Sequence, residues 1–359
     1  MTGTGRPVHQ LLAALSYGDA ISNEALAIQA HLRRLGHPSD IFAEGVHPRM
    51  AHLARPLHEY PSVSSPETVC LFHFSIGSAA GRLAFHAPDR LVAIYHNITP
   101  AHFFVRYDPE MVHICTLGRT ELTGLAGHVD LALGDSEFNR RELEDAGFAR
   151  TGVLPIYLDF DRYRETPNAV LRRLLDDGRT NVLFVGRIAP NKRQDDLVRM
   201  ASYWKRFIGP DVRLLLVGKP PRRRHYFDAL QSLYYEEHFT PWEVLLPGHV
   251  SHDDLLAYYA SAHVFVSASD HEGFGVPLVE SMLMDVPVVA YRTTAVGDTL
   301  GDAGIQFAKK RLDLMAEAAA AVARPGPLRE GVLARQRERV RDFAPEAVER
   351  ILRGHLESL

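Results

Sequence analysis

Short apolar runs ending at Gly, Ser or His alternate along the chain with longer segments whose apolar positions recur every three to four residues. That alternation is expected of β-α units built around parallel sheets. Val8–Leu15 reads as a strand leading to Gly18, after which Ile21, Ala25, Ile28 and Leu32 share a helical face that Gly36 closes. Further strands are expected at 69–72, 91–95 and 129–133, and Ser136 is placed to cap a helix carrying Phe138, Leu143 and Ala146. A second series has strands at 181–185, 212–217, 244–246, 264–266 and 288–291, with helices such as 195–207 and 254–262. Between the two series, PIYLDFDRYRETP (residues 155–167) shows neither period and carries two prolines, so it reads as a linker between two domains. The charge-rich tail from Leu328 onward is expected to form two or three closing helices.

Length agrees with this division, since 359 residues suit two domains of ordinary size. With 46% apolar and 23% charged residues the composition is that of a globular protein. A net charge of -4 removes the basic field that drives non-specific nucleic-acid binding, so no nucleic-acid partner is expected. Cys70 and Cys115 lack the spacing of a zinc site or a disulfide framework and are read as reduced thiols. The first residues lack a signal-peptide pattern, and no run reaches the ~18 apolar residues of a membrane span. A soluble, cytoplasmic protein is therefore expected. Of forty basic residues only five are lysines (192, 205, 219, 309 and 310), which draws attention to each.

The richest segment for chemistry is SDHEGFGVPLVESMLMDVPVVAY, residues 269–291. A strand leads into a loop where Gly273 and Gly275 let the backbone approach a ligand, and Pro277 suits the first turn of a helix. Such a helix start favours an anion, and Glu272 and Glu280 beside it offer acceptors for the hydroxyls of a sugar or ribose. In FVGRIAPNKRQDDL (184–197), Arg187 and Lys192 emerge at the carboxyl end of a strand, a suitable pair for a diphosphate that gains charge as it leaves. In the first half, His96 and Asn97 follow a strand, and a histidine there is placed to contact a substrate hydroxyl across an interdomain cleft. The Asp159-Phe160-Asp161 triplet is read as solvated turn chemistry rather than a metal holder, and the PRRRH run (221–225) as a charged loop. Phosphate loops of the G-x-G-x-x-G and Walker types, H-E-x-x-H and G-x-S-x-G are all missing.

The ordered set EGFGVPLVE (Glu272 to Glu280), VGRIAPNK, GDSEFNRREL and ASAHVFVSAS resembles glycosyltransferase family 4, the retaining, metal-independent nucleotide-sugar enzymes of the GT-B fold. The resemblance implies an α/β chain of two Rossmann-like domains with parallel sheets facing across a cleft. Residues 1–160, joined by a tail of about 340–359, would bind the acceptor, and residues 161–339 would bind the donor. It implies catalytic roles for His96, Arg187, Lys192 and Glu272, with Glu280 on the donor ribose and Glu272 on the transferred sugar. The backbone of Gly273, Phe274, Gly275 and Val276 would contact sugar and phosphate. Gly18 would lie near the donor phosphates, although Asp19 stands where a second glycine is common. His249 and Val250, after Gly248, would read the base, while His96 and Asn97 would meet the acceptor.

The implied reaction moves a hexosyl group from a GDP- or UDP-linked donor to a glycan, glycolipid or small-molecule acceptor, in glycoconjugate or surface-polysaccharide synthesis. No cofactor and no metal would be required, and peripheral contact with the inner face of a membrane would suit a lipid-borne acceptor. A sugar-nucleotide epimerase or hydrolase of related fold, or a silent nucleotide-sugar-binding partner, are the alternatives left open.

Overall fold

A computed structural model describes residues 5–359, which form two wholly parallel sheets flanked by helices. In the first, β1 (Val8–Leu15), β2 (Ile41–Val46), β3 (Arg55–Pro56), β4 (Val69–Phe74), β5 (Arg90–Tyr95), β6 (Leu131–Gly134) and β7 (Thr151–Val153) lie in the order β3-β2-β1-β4-β5-β6-β7. In the second, β8 (Thr180–Val185), β9 (Val212–Val217), β10 (Val244–Gly248), β11 (Val264–Ser267), β12 (Val288–Tyr291) and β13 (Ile305–Phe307) lie in the order β10-β9-β8-β11-β12-β13. Each is a Rossmann-like arrangement in which strand order reverses once, between β1 and β4 and between β8 and β11. Open α/β sheets bind ligands beyond the carboxyl ends of the strands at such reversals.

The connections are helical. In the first half they are α1 (Ala20–Arg34), α2 (Ala79–His86), α3 (Pro109–Leu125) and α4 (Glu137–Asp145), the last capped by Ser136 as the sequence suggests. In the second half they are α5 (Ala169–Leu175), α6 (Gln194–Phe207), α7 (His225–Glu236), α8 (His252–Ser261), α9 (Val276–Leu283), α10 (Val296–Leu300) and α11 (Leu312–Ala323). The tail forms α12 (Pro327–Arg339) and α13 (Pro345–Glu357). Four strands escape the sequence pattern. β3, β7 and β13 hold only two or three residues each, and β2 loses its apolar run at Glu44 and Gly45.

By packing, the described residues divide into two compact units, one of residues 5–101, 110–159 and 343–359, the other of 102–109 and 160–342. The first unit includes α13 because Pro345 starts a helix whose Val348, Leu352 and Leu356 recur every fourth residue. These join Ile28 and Leu32 of α1 in covering Val8, Val69, Leu71, Val92 and Ile94 on one face of the sheet. Each such side chain, fully buried, contributes about 1.5–3 kcal/mol. Glu349 adds polar ties, taking the Tyr157 hydroxyl at 2.6 Å and facing His31 Nδ1 at 3.0 Å. Segment 102–109 packs with the second unit, where Tyr107 stands edge-on to Tyr226 at 5.3 Å and Asp108 pairs with Arg223 at 3.3 Å. That pairing gives part of the PRRRH run a structural use. Cys70 and Cys115 are both buried and unbridged. Among the described residues no helix is long and apolar enough to cross a membrane.

Candidate active site

At the strand reversal of the second sheet, the loops leaving β8 and β11 meet. After β8, Arg187 is exposed, and no hydrogen bond or ion pair engages its guanidinium among the described residues. A single 3-10 turn, Pro190–Lys192, then presents Lys192, whose Nζ lies 2.5 Å from Glu272 Oε2 in the loop after β11. Both side chains are mostly sheltered, at 17% and 13% exposure. The Glu272 N–H donates to Thr294 Oγ1 at 2.9 Å, so the loop carrying the acid is held at its backbone as well.

That loop runs into α9 through Gly275, whose φ of 87° strains any other residue; a Cβ there would also sit 2.9 Å from Leu278 Cδ1 and push that side chain aside. Pro277 follows in the first turn, as the sequence suggests. Phe274 is buried and its carbonyl accepts from Thr299 Oγ1 at 2.5 Å, while Gly273 and Val276 are half-buried. One turn into the helix, Glu280 is buried and its two oxygens accept from the hydroxyls of Tyr163 and Tyr259, each at 2.6 Å. Burial pushes the Glu280 pKa up, opposed by these two hydrogen bonds. At the end of β10, Gly248 (φ 79°) accepts from Gly218 N–H at 3.0 Å, with His249 exposed and Val250 half-buried beyond it. The turns after β8 and β9 touch so closely that a Cβ on Gly218 would stand 1.9 Å from Gly186 O.

The first sheet holds a different constellation, reaching from Gln10 within β1 to the carboxyl ends of β4, β5 and β6. Gln10 Nε2 donates to Ala25 O at 2.9 Å, which turns its Oε1 toward His73 Nε2 at 2.8 Å. His73 must therefore donate there, leaving Nδ1 to accept from His96 Nε2 at 2.9 Å. The other His96 nitrogen, Nδ1, lies 3.0 Å from Asp135 Oδ2 and 3.6 Å from Glu24 Oε2. Burial by itself would lower the His96 pKa, but the carboxylates of Asp135, Glu24 and Asp19 outweigh it and raise it to about 9. Burial raises the Glu24 and Asp135 pKa values and holds that of His73 well below the usual imidazole range. Glu24 Oε1 accepts from Tyr157 N–H at 3.3 Å, whereas Glu24 Oε2 and Asp135 Oδ1 accept no hydrogen bond among the described residues.

Donor atoms of Glu24, His73 and His96 lie within 4.8 Å of one another, near enough to share an ion. Every ring nitrogen of the two histidines is nevertheless spent on a hydrogen bond, so the set as arranged holds protons.

The structure thus joins Lys192 directly to Glu272 and gathers 273–276 and Glu280 at one strand-to-helix junction, with Arg187 at the neighbouring strand end. His249 and Val250 lie two strands away from β8. His96 departs from its sequence expectation: its imidazole is 1% exposed with both nitrogens engaged, so no ring nitrogen is open to a substrate hydroxyl. Asn97, at φ 69°, sends its amide to Asn139 Oδ1 and Glu142 Oε2 and is likewise buried. Gly18 has φ 72°, and Asp19 is the N-cap of α1, its Oδ2 accepting from Ser22 N–H at 3.0 Å. Asp161 pairs with Arg164 at 2.8 Å on the surface, in keeping with a solvated turn. Sequence reasoning missed Tyr163, Tyr259, His73, Glu24 and Asp135. Only Asp135, beside the capping Ser136, and His73, near the end of a strand like His96, carried a local signal.

Comparison with known proteins bears on the second unit first. Residues 179–324 match the family described as glycosyl transferases group 1. Over 303 residues the chain is 27% identical to a GDP-mannose-dependent alpha-mannosyltransferase of Mycobacterium tuberculosis, covering 76% of this chain and 75% of that protein. It is 34% identical over 151 residues to a D-inositol 3-phosphate glycosyltransferase of a Mycobacterium species, covering 41% and 33%. Among solved structures it resembles Anabaena HepE in complex with UDP and glucose, with a TM-score of 0.75 at 17% identity, covering 99% and 100% of the two chains. Sucrose-phosphate synthase from Thermosynechococcus elongatus gives 0.73 at 18% identity, covering 98% of each. With two parallel Rossmann-like sheets and a group 1 domain over the second of them, the chain is a glycosyltransferase of the GT-B fold.

Proposed function

We propose that this glycosyltransferase belongs to family 4 and moves a hexosyl group, with retention of anomeric configuration and without a metal, from a GDP- or UDP-linked sugar to a hydroxyl of a glycan, glycolipid or small-molecule acceptor. The observation that carries the reading is the Lys192–Glu272 contact at the start of α9, with Glu280 one turn further on. A cation and a helix N-terminus favour a diphosphate, and the adjoining carboxylates accept hydrogen bonds from sugar and ribose hydroxyls. Exposed Arg187 adds a second cation at the neighbouring strand end, and Gly273 to Val276 bring backbone to the sugar. His249 and Val250 are assigned to the base. The mannosyltransferase relative depends by name on GDP-mannose and the HepE structure holds UDP, which supports a nucleotide-linked donor while leaving both bases in play.

In the step itself the acceptor oxygen forms a bond to the anomeric carbon on the face from which the diphosphate departs. The bond from that carbon to the phosphate oxygen breaks, its electron pair leaves with the diphosphate, and the acceptor proton passes to a phosphate oxygen. Lys192 and Arg187 offset the charge that builds there, so catalysis rests on positioning and electrostatics. His96 and Asn97 belong to the acceptor side as parts of the wall, acting through the shape and charge of their buried cluster. Lys192→Ala and Glu272→Ala should each lower transfer by about 10²-fold or more, the scale of losing one preorganised charge-stabilising group. Unchanged transfer in both variants would remove the assignment.

A further inference from the structure

Arg193 follows Lys192 in a left-handed conformation, φ 52° and ψ 44°, with no glycine to make it easy. A residue bearing a Cβ stays there only when its surroundings hold it, and here the side chain supplies the hold. The guanidinium donates through Nη1 to Asp270 Oδ2 at 2.9 Å, through Nε and Nη2 to Asp195 at 3.0 and 3.1 Å, and through Nη2 to Asp196 Oδ1 at 2.8 Å. Lys310, from the loop before α11, joins the same two acids: its Nζ bonds Asp196 Oδ2 at 3.2 Å and also Asp270 Oδ1. Asp196 and Asp270 are therefore each bridged by both cations, which closes a ring of four side chains. Arg199 adds bonds to Asp195 at 2.7 Å and Asp196 at 3.3 Å, so three cations face three acids with no charge left over. Asp196 is 7% and Lys310 18% exposed, while Arg193 and Asp270 are partly open at 31% and 26%, so the ring is sheltered on its Asp196–Lys310 side.

The ring sits at one particular place. Its Arg193 is the residue after Lys192, and its Asp270 lies two before Glu272. On the near side of Lys192, Asn191 O accepts from Asp270 N–H at 2.8 Å and the Asn191 amide donates to His271 O at 3.2 Å. Thr293 Oγ1 bonds Asp270 O at 3.1 Å. The two loops are thus joined through the residues on either side of Lys192, whose partners Asp270 and His271 immediately precede Glu272. A long side chain such as that of Lys192 has many rotamers to lose, so its set separation from Glu272 depends on the two backbones being held together.

We propose that Arg193, Asp270, Asp196 and Lys310 are positioning residues that fix the separation of Lys192 and Glu272, matching the site to one ligand that carries a diphosphate and a sugar together. The inference rests on the donor-site reading above and adds residues that touch no substrate. Loosening the ring leaves both groups present but misplaced, so the intact sugar nucleotide suffers more than the free nucleoside diphosphate.

The test uses the full-length protein with Arg193→Gly, Arg193→Lys and the near-isosteric Asp270→Asn. Arg193→Gly is decisive because glycine accepts the backbone conformation while deleting the ring. Expected is a kcat lower by about 10-fold to 10²-fold, the scale of a misplacement near 1 Å, a raised donor KM, near-normal affinity for GDP or UDP alone, and partial rescue in Arg193→Lys. A residue that served only to shape the turn would leave donor KM and kcat at wild-type values in Arg193→Gly, and that result overturns the proposal. If Arg193→Gly fails to fold, Asp270→Asn carries the same expectation. The two readings fail separately. Transfer that survives Lys192→Ala and Glu272→Ala removes the donor site itself, whereas loss in those variants beside wild-type kinetics in Arg193→Gly and Asp270→Asn removes the positioning ring alone.

Discussion

Glu280 is a carboxylate deprived of water, and its stability rests on two phenols. Removing one hydroxyl by Tyr259→Phe leaves an oxygen without its partner in a buried setting, which should destabilise the second unit by about 1–3 kcal/mol. Urea unfolding of the variant beside wild type checks this, and Tyr163→Phe should cost less because Tyr163 is less buried. Glu24 presents the complementary case in the first unit. Its raised pKa means that the folded state binds more protons than the unfolded state from the ordinary glutamate value of 4.5 upward. Stability contributed by that proton is present in full below the unfolded pKa and is lost as pH rises through the folded one. His96, raised to about 9, acts in the same direction at higher pH, and His73, lowered, acts in the opposite direction around the usual imidazole range. Glu24→Gln keeps the shape and removes the titration. Its stability should fall less steeply with pH than that of wild type between pH 5 and 8, by up to about 1.4 kcal/mol per pH unit at the steepest point. Parallel pH profiles would contradict the assignment of a raised pKa.

At the scale of elements, the junction between β11 and α9 depends on one backbone conformation. Gly275→Ala should cost about 1–2 kcal/mol from the left-handed φ alone, with Leu278 also displaced. A shift in the urea midpoint at unchanged slope would register it, and no shift would show that the turn accepts a side chain. This junction was legible in the sequence because its signals are local: Gly275, Pro277 and the Glu272–Glu280 spacing all fall within nine residues. The long central strands were legible for a related reason, since strands buried on both faces read as continuous apolar runs. Two-residue β3 and three-residue β7 and β13 have no run to read. The partners of the site residues were hidden for yet another cause. Tyr163 meets Glu280 across 117 positions and Lys310 meets Asp196 across 114, separations that only the packed fold creates. His96 was correctly placed at a strand end, but its buried partners set which way its ring faces.

For the whole molecule, the closing helix α13 is part of the first unit although it follows the second in the chain. Leu352→Ala should therefore destabilise the first unit by about 2–5 kcal/mol, as deletion of a buried leucine does. Hydrogen exchange resolved along the chain should show the loss in β1, β4 and β5 and leave β8, β9 and β11 protected as before. The same tie makes the polypeptide pass from the first unit to the second and back, so neither unit can be cut free at a single linker.

Proton NMR of a reaction with a donor panel and candidate acceptors follows directly what passes through the site of the second unit. Expected is nucleoside diphosphate release that depends on the acceptor, together with a glycoside whose anomeric configuration equals that of the donor. Turnover of the donor without any acceptor, or a product of inverted configuration, would contradict retaining transfer at this site.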